Sequence, residues 1–176
     1  MNNTSKIRWI TTTAIFIAML VTLQSVTKPM GQYVTGSMVN MVLVMSTLTA
    51  GLASGVTVAL LSPVFAFILG IGPAFVQLVP FVALGNLVLV LVWGLVCSKG
   101  LEIKNMVISL AAGAVLKFGT LYIGIITVAI PMLLTLNEKQ AAMIGASFSY
   151  PQLVTAAIGG FIAMLIAPTV KKAIRK

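Results

Sequence analysis

The chain has 176 residues, of which 60% are hydrophobic and only 7% charged, with a formal net charge of +9 and no histidine. A soluble domain carries about 25% charged residues, and a chain this short leaves too much surface outside to hide so large an apolar share. The composition is that of an integral membrane protein, and with Glu102 and Glu138 the only acids and Cys97 the single cysteine it excludes paired-carboxylate catalysis, histidine relays and a thiolate metal site.

A membrane-spanning helix needs about 20 residues, so six spans fit with short loops between them, as one domain over 1–176 with no appended soluble domain. Apolar runs predict the first helix at about 9–27, behind Lys6 and Arg8. No small-x-small cleavage pattern precedes Lys28, so this run reads as a helix and not as a signal peptide. Helices at about 38–53 and 55–70 form a tight hairpin around Ala53-Ser54-Gly55, with Pro63 expected to kink the second of them. Gly70-Ile71-Gly72-Pro73 opens a linker that runs to Pro80. A fourth helix is expected at about 80–97, a fifth at 105–130 before Pro131, and a sixth at 141–167 ahead of Pro168. The expected fold is an all-α membrane protein, a compact bundle of six transmembrane helices.

The cations set the orientation. With both termini cytoplasmic, the inner side carries Lys6, Arg8, Lys99, Lys104, Lys171, Lys172, Arg175 and Lys176, against Lys28 and Lys139 outside. Insertion favours this arrangement over its reverse. Clustering at the ends of apolar runs also makes the basic charge a lipid-bilayer feature, so nucleic acid is not an expected partner. The outer connections are long and mixed in polarity. Gln32 and Tyr33 lie in the first, where the segment 30–37 reads as a ligand lid with Gly31 and Gly36 supplying backbone freedom, and Gln77 lies in the second. Ordinary solvent-facing linkers are the alternative.

Polar residues inside the apolar runs carry the chemistry. Lys117 stands about 12 residues from either end of the fifth run, where a cation costs on the order of 3 kcal/mol. It either contacts a ligand or bonds to backbone carbonyls. Asn40, Asn86, Tyr122, Ser147, Tyr150 and Gln152 lie at depths that could line one outer cavity, although each alone suits an interhelical hydrogen bond. Trp93 sits too far inward for that cavity and reads as an anchor or a packing residue. In the first helix, Ala14 and Ala18 share one face and permit close helix approach, which serves either packing within the bundle or docking of a partner.

Six helices, both ends inside, the Ala14-Ile15-Phe16-Ile17-Ala18 step and lid-like outer loops together resemble the substrate-binding S-component of an energy-coupling-factor (ECF) vitamin transporter. Ser-Pro-Val, Gly-Pro and Gly-Asn features between Gly36 and Gly94 add to the resemblance. It implies capture of a vitamin from outside and docking through Ala14 and Ala18 on a transmembrane T-component. It also implies two partner ATPases that use ATP, with no cofactor in this chain. The absence of a G-x-x-x-x-G-K-[ST] motif agrees with an external energy source. A lysine at depth with no acid near it predicts an anionic ligand, a carboxylate with an apolar body such as lipoate or biotin, then pantothenate or nicotinate, and disfavours cationic thiamine. An autonomous small-solute transporter and a ligand-free structural membrane subunit are the alternatives, and an enzyme is not expected.

Overall fold

The computed structural model describes residues 3–174, so Arg175 and Lys176 of the basic tail lie outside the described residues. Seven α-helices and no strand occur among them: α1 (Asn3–Thr27), α2 (Gln32–Ala50), α3 (Leu52–Ile68), α4 (Val79–Val96), α5 (Ile103–Leu121), α6 (Glu138–Phe148) and α7 (Tyr150–Ile174). A π-helical stretch, Tyr122–Leu133, continues α5, and single 3-10 turns occupy Lys28–Met30 and Val76–Leu78. Five helical segments are long and apolar enough to cross a membrane, with α6 and α7 counted together, and α3 is a shorter apolar helix of 17 residues. Large apolar side chains such as Ile15, Leu61, Phe65, Val107, Leu116 and Ile123 cover the outside of the bundle. That surface suits lipid and not water.

Glycines decide where the chain turns. Gly31 takes φ +89° and caps α2, so that helix begins at Gln32, six residues before the expected start. Much of the expected lid, including Gly36, is therefore helical. Gly36 serves close packing: a Cβ there would stand 2.9 Å from Thr155 Cγ2 of α7. The hairpin turn falls at Gly51, at φ +94°, and not at Ala53-Ser54-Gly55. Those three residues lie in the first turn of α3, where the Ser54 and Thr13 hydroxyls are hydrogen-bonded to each other at 2.9 Å and Gly55 lies against Thr47.

The last span is divided in two. Ser149 leaves the helical region at ψ −131°, and Tyr150 precedes Pro151, whose ring disfavours helical geometry in the residue before it. Proline is welcome in the first turn of the helix that restarts there, since its missing N–H would have no helical partner. The π-helical stretch holds Pro131, a residue that cannot close the ordinary α-helical hydrogen bond.

Helix α2 runs through the centre, packed most extensively on α7 and also on α1, α3 and α4. The main core gathers Leu43, Val44, Val58, Leu89, Val90 and Trp93, and Trp93 is fully buried as a packing residue. A second cluster of Leu78, Leu121, Ile125, Ala129 and Ile144 surrounds the π-helical stretch. A cavity borders this second cluster at Leu78, Leu121 and Ile144.

Candidate functional site

The cavity holds about 360 Å³ and opens at the end of the bundle where the Lys28 and Gly70 loops meet. This volume falls in the range of small-molecule sites, about 300–1,000 Å³. Its lower wall is a polar junction of three helices. Lys117 Nζ of α5 donates to Asn40 Oδ1 of α2 at 2.6 Å and to Asn86 Oδ1 of α4 at 2.7 Å. All three residues are buried, and all three line the cavity. An ammonium carries three N–H donors, so two are aimed at asparagine oxygens and one is left for an incoming acceptor. The asparagines solvate the cation without cancelling its charge.

Asn40 is itself oriented from behind. Its Nδ2 donates to Thr155 Oγ1 of α7 at 3.3 Å, and the Thr155 hydroxyl donates to the Gln152 carbonyl at 3.3 Å. With the amide nitrogen taken up by α7, the oxygen faces Lys117. Fixed partners of this kind hold a binding group at the right angle before any ligand arrives.

Above the junction the walls are mostly apolar, with Val39, Ile71, Leu78, Val82, Leu121 and Phe148 among them. Helix α2 presents Gln32, Gly36 and Asn40 to the cavity, residues four apart and so on one face. At the mouth Lys28 Nζ donates to the Gly70 carbonyl at 2.5 Å, and Gln24 Nε2 of α1 donates to the Ile71 carbonyl at 3.1 Å. These two bonds tie the 70–74 loop over the cavity. Gly72 folds back onto the end of α3, where a Cβ would meet the Ala66 backbone at 2.8 Å. Cations line the cavity at Lys28 and Lys117, and no acidic residue does so among the described residues.

Of the residues singled out from sequence, Lys117, Asn86, Asn40, Gln32, Ser147 and Gln152 line this cavity. Gln152 Nε2 donates to the Ser147 carbonyl at 3.0 Å across the helix break. Tyr122, Tyr150, Tyr33 and Gln77 do not line it, and all four are exposed. Tyr122 stacks at a tilt on Phe118, with ring centroids 5.7 Å apart, on the outer face of α5. Leu121, four residues after Lys117, takes the inward position. Gln24, Lys28 and Ser62 also line the cavity beyond the residues expected from sequence, as does Thr35 of the expected lid segment. The signals were present: Gln24 is an amide within an apolar helix, and Thr35 flanks the Gln32–Asn40 face. Ala14 and Ala18 lie elsewhere, on the exposed face of α1.

An all-helical membrane bundle with an apolar cavity and a buried cationic floor defines a membrane protein that binds a small solute. The family model for the ECF transporter substrate-specific component matches residues 8–171, and the chain belongs to that family. Comparison with curated proteins and with solved structures returned no match. The chain is thus a membrane transport subunit and not an enzyme, working with a membrane T-component and ATPase partners on a small-molecule substrate.

Proposed function

We propose that this S-component captures a small carboxylate vitamin with an apolar body, biotin or lipoate first and pantothenate or nicotinate next. The observation that carries the reading is the Lys117–Asn40–Asn86 junction on the floor of a cavity whose lining is otherwise mainly apolar. A carboxylate that accepts the remaining ammonium N–H gains a charge-assisted hydrogen bond, worth about 1.5–3 kcal/mol. A cationic vitamin such as thiamine would meet two lysines and no acid. Both termini are cytoplasmic in this reading, so the cavity opens to the outside of a prokaryotic plasma membrane. The six spans then include the short α3. The exposed Ala14 and Ala18 face of α1 meets the T-component, and two partner ATPases supply the energy.

Mass spectrometry of small molecules released from gently purified protein tests the substrate directly. A carboxylate vitamin is expected, and its affinity should fall at least tenfold in Lys117→Met. Tight binding of thiamine, or unchanged affinity in Lys117→Met, refutes the reading.

A further inference from the structure

Most buried hydroxyls of this bundle follow one habit. Ser37, Ser46, Thr47 and Ser109 each donate to the backbone carbonyl three or four residues earlier, at 2.6 to 2.9 Å. Thr13 does the same towards the Trp9 carbonyl at 2.8 Å and also reaches Ser54. A hydroxyl that turns back in this way satisfies itself inside its own helix, which is how an apolar environment tolerates it.

Ser62 breaks the habit. It is only 1% exposed, and its Oγ is the one buried hydroxyl oxygen without a hydrogen-bond partner among the described residues. Leaving a donor unmet in a buried place is costly, and such a group calls for an explanation. The explanation is its position. Ser62 lines the same cavity as Lys117. Helix α3 packs on α1, α2 and α4, whereas α5 packs on α4 and α7. Ser62 and Lys117 therefore reach the cavity from different helices, both packed on α4.

We infer that Ser62 is a second ligand anchor, whose hydroxyl donates to a hydrogen-bond acceptor at the end of the substrate remote from the carboxylate held by Lys117. This rests on the carboxylate reading and narrows it. A carboxylate with a purely apolar far end would leave Ser62 as it is, buried and unpaired. A carboxylate with a carbonyl, amide or ring-nitrogen acceptor at the far end satisfies both residues at once. Discrimination built on a buried polar group that must be paired is stronger than discrimination by apolar shape alone. Biotin, pantothenate and nicotinate meet the requirement. Lipoate, which shares the valerate chain of biotin but ends in a dithiolane, does not.

The test is calorimetric titration of the purified full chain with biotin, pantothenate, nicotinate, lipoate and octanoate, repeated in Ser62→Ala and in Lys117→Met. The tightest of the five should be one of the three acceptor-bearing probes, and Ser62→Ala should weaken it by about tenfold, the size of one hydrogen bond. Lipoate and octanoate should bind Ser62→Ala as they bind the unaltered chain. Ligand-free Ser62→Ala should melt no earlier than the unaltered chain, because the mutation removes an unpaired group and breaks no bond. Carboxylate binding that depends on Lys117 but is indifferent to Ser62→Ala overturns the inference and leaves the carboxylate reading standing. So does lipoate or octanoate as the tightest probe, or a destabilised ligand-free variant. If none of the five binds, or if Lys117→Met binds them unchanged, the carboxylate reading falls and the inference falls with it.

Discussion

Gly159 on α7 lies directly against Asn40 on α2: a Cβ at Gly159 would come within 2.7 Å of the Asn40 Cβ and would overlap the Ser37 carbonyl oxygen. A close crossing of α2 and α7 therefore stands behind one of the two oxygens that hold Lys117. Helix packing and the lysine junction share a residue. Gly159→Ala should force α2 and α7 apart at this point, lowering stability by about 1–3 kcal/mol. Because Asn40 moves with α2, affinity for the captured carboxylate should fall as well, by more than the same substitution produces at Gly145, where a Cβ would meet nothing within 4 Å. Thermal melting and titration calorimetry on the two variants check both halves.

Asn86→Asp gives the junction an acid without changing its shape. A carboxylate in the place of the Asn86 amide would accept from Lys117 Nζ, which now donates to Asn86 Oδ1 at 2.7 Å. The cation would then be paired inside the protein. The expected outcome is a chain that folds and melts at least as high as the original while carboxylate affinity drops tenfold or more. Retained affinity would mean that Lys117 is a structural cation.

The mouth of the cavity depends on two cross-links to the 70–74 loop. Gln24→Ala removes the bond to the Ile71 carbonyl, and Lys28→Ala removes the bond to the Gly70 carbonyl. The double variant should release its carboxylate faster, with the change concentrated in the off-rate. Amide hydrogen exchange across 70–74 should slow when ligand binds the unaltered chain and respond less in the variant.

Replacing both Ala14 and Ala18 by Trp leaves the cavity untouched, since these side chains lie on the exposed face of α1. Carboxylate binding by the solitary chain should therefore be within about twofold of normal. Recovery of the complex with the T-component and ATPases should fail, and uptake with it, because a close helix crossing cannot accommodate two indoles.

Depth was legible in the sequence, and rotation was not. Lys117, Asn86 and Asn40 stand in the sequence at depths that could line one outer cavity, and they do meet. Which way a side chain faces depends on where its helix starts and whether it is continuous. The apolar run begins only at Met38, six residues after the true start of α2, so the sequence places Gln32 in a loop and hides the Gln32–Gly36–Asn40 face. Tyr122 and Tyr150 stand beside irregularities, the π-helical stretch and the break at Ser149, that no periodicity announces. Their neighbours Leu121 and Gln152 face inward instead. Ser62 escaped notice because a serine before a proline reads as part of a kink, and its missing partner is visible only in three dimensions. The family resemblance, by contrast, rests on topology and short motifs that survive such local shifts.

The small helix α6 closes its own N-terminus. Asn137 Oδ1 accepts from the Gln140 backbone N–H at 2.9 Å, and the Asn137 N–H donates to Gln140 Oε1 at 3.2 Å, a reciprocal cap that needs no help from the rest of the bundle. It packs mainly on the π-helical stretch and α7, yet its residues Met143, Ile144, Ser147 and Phe148 form one side of the cavity. Mutations there can reshape the cavity while the α2–α7 crossing and the lysine junction stay in place. Such a division lets the shape of the cavity drift through substitutions in eleven residues, with the lysine junction inherited unaltered.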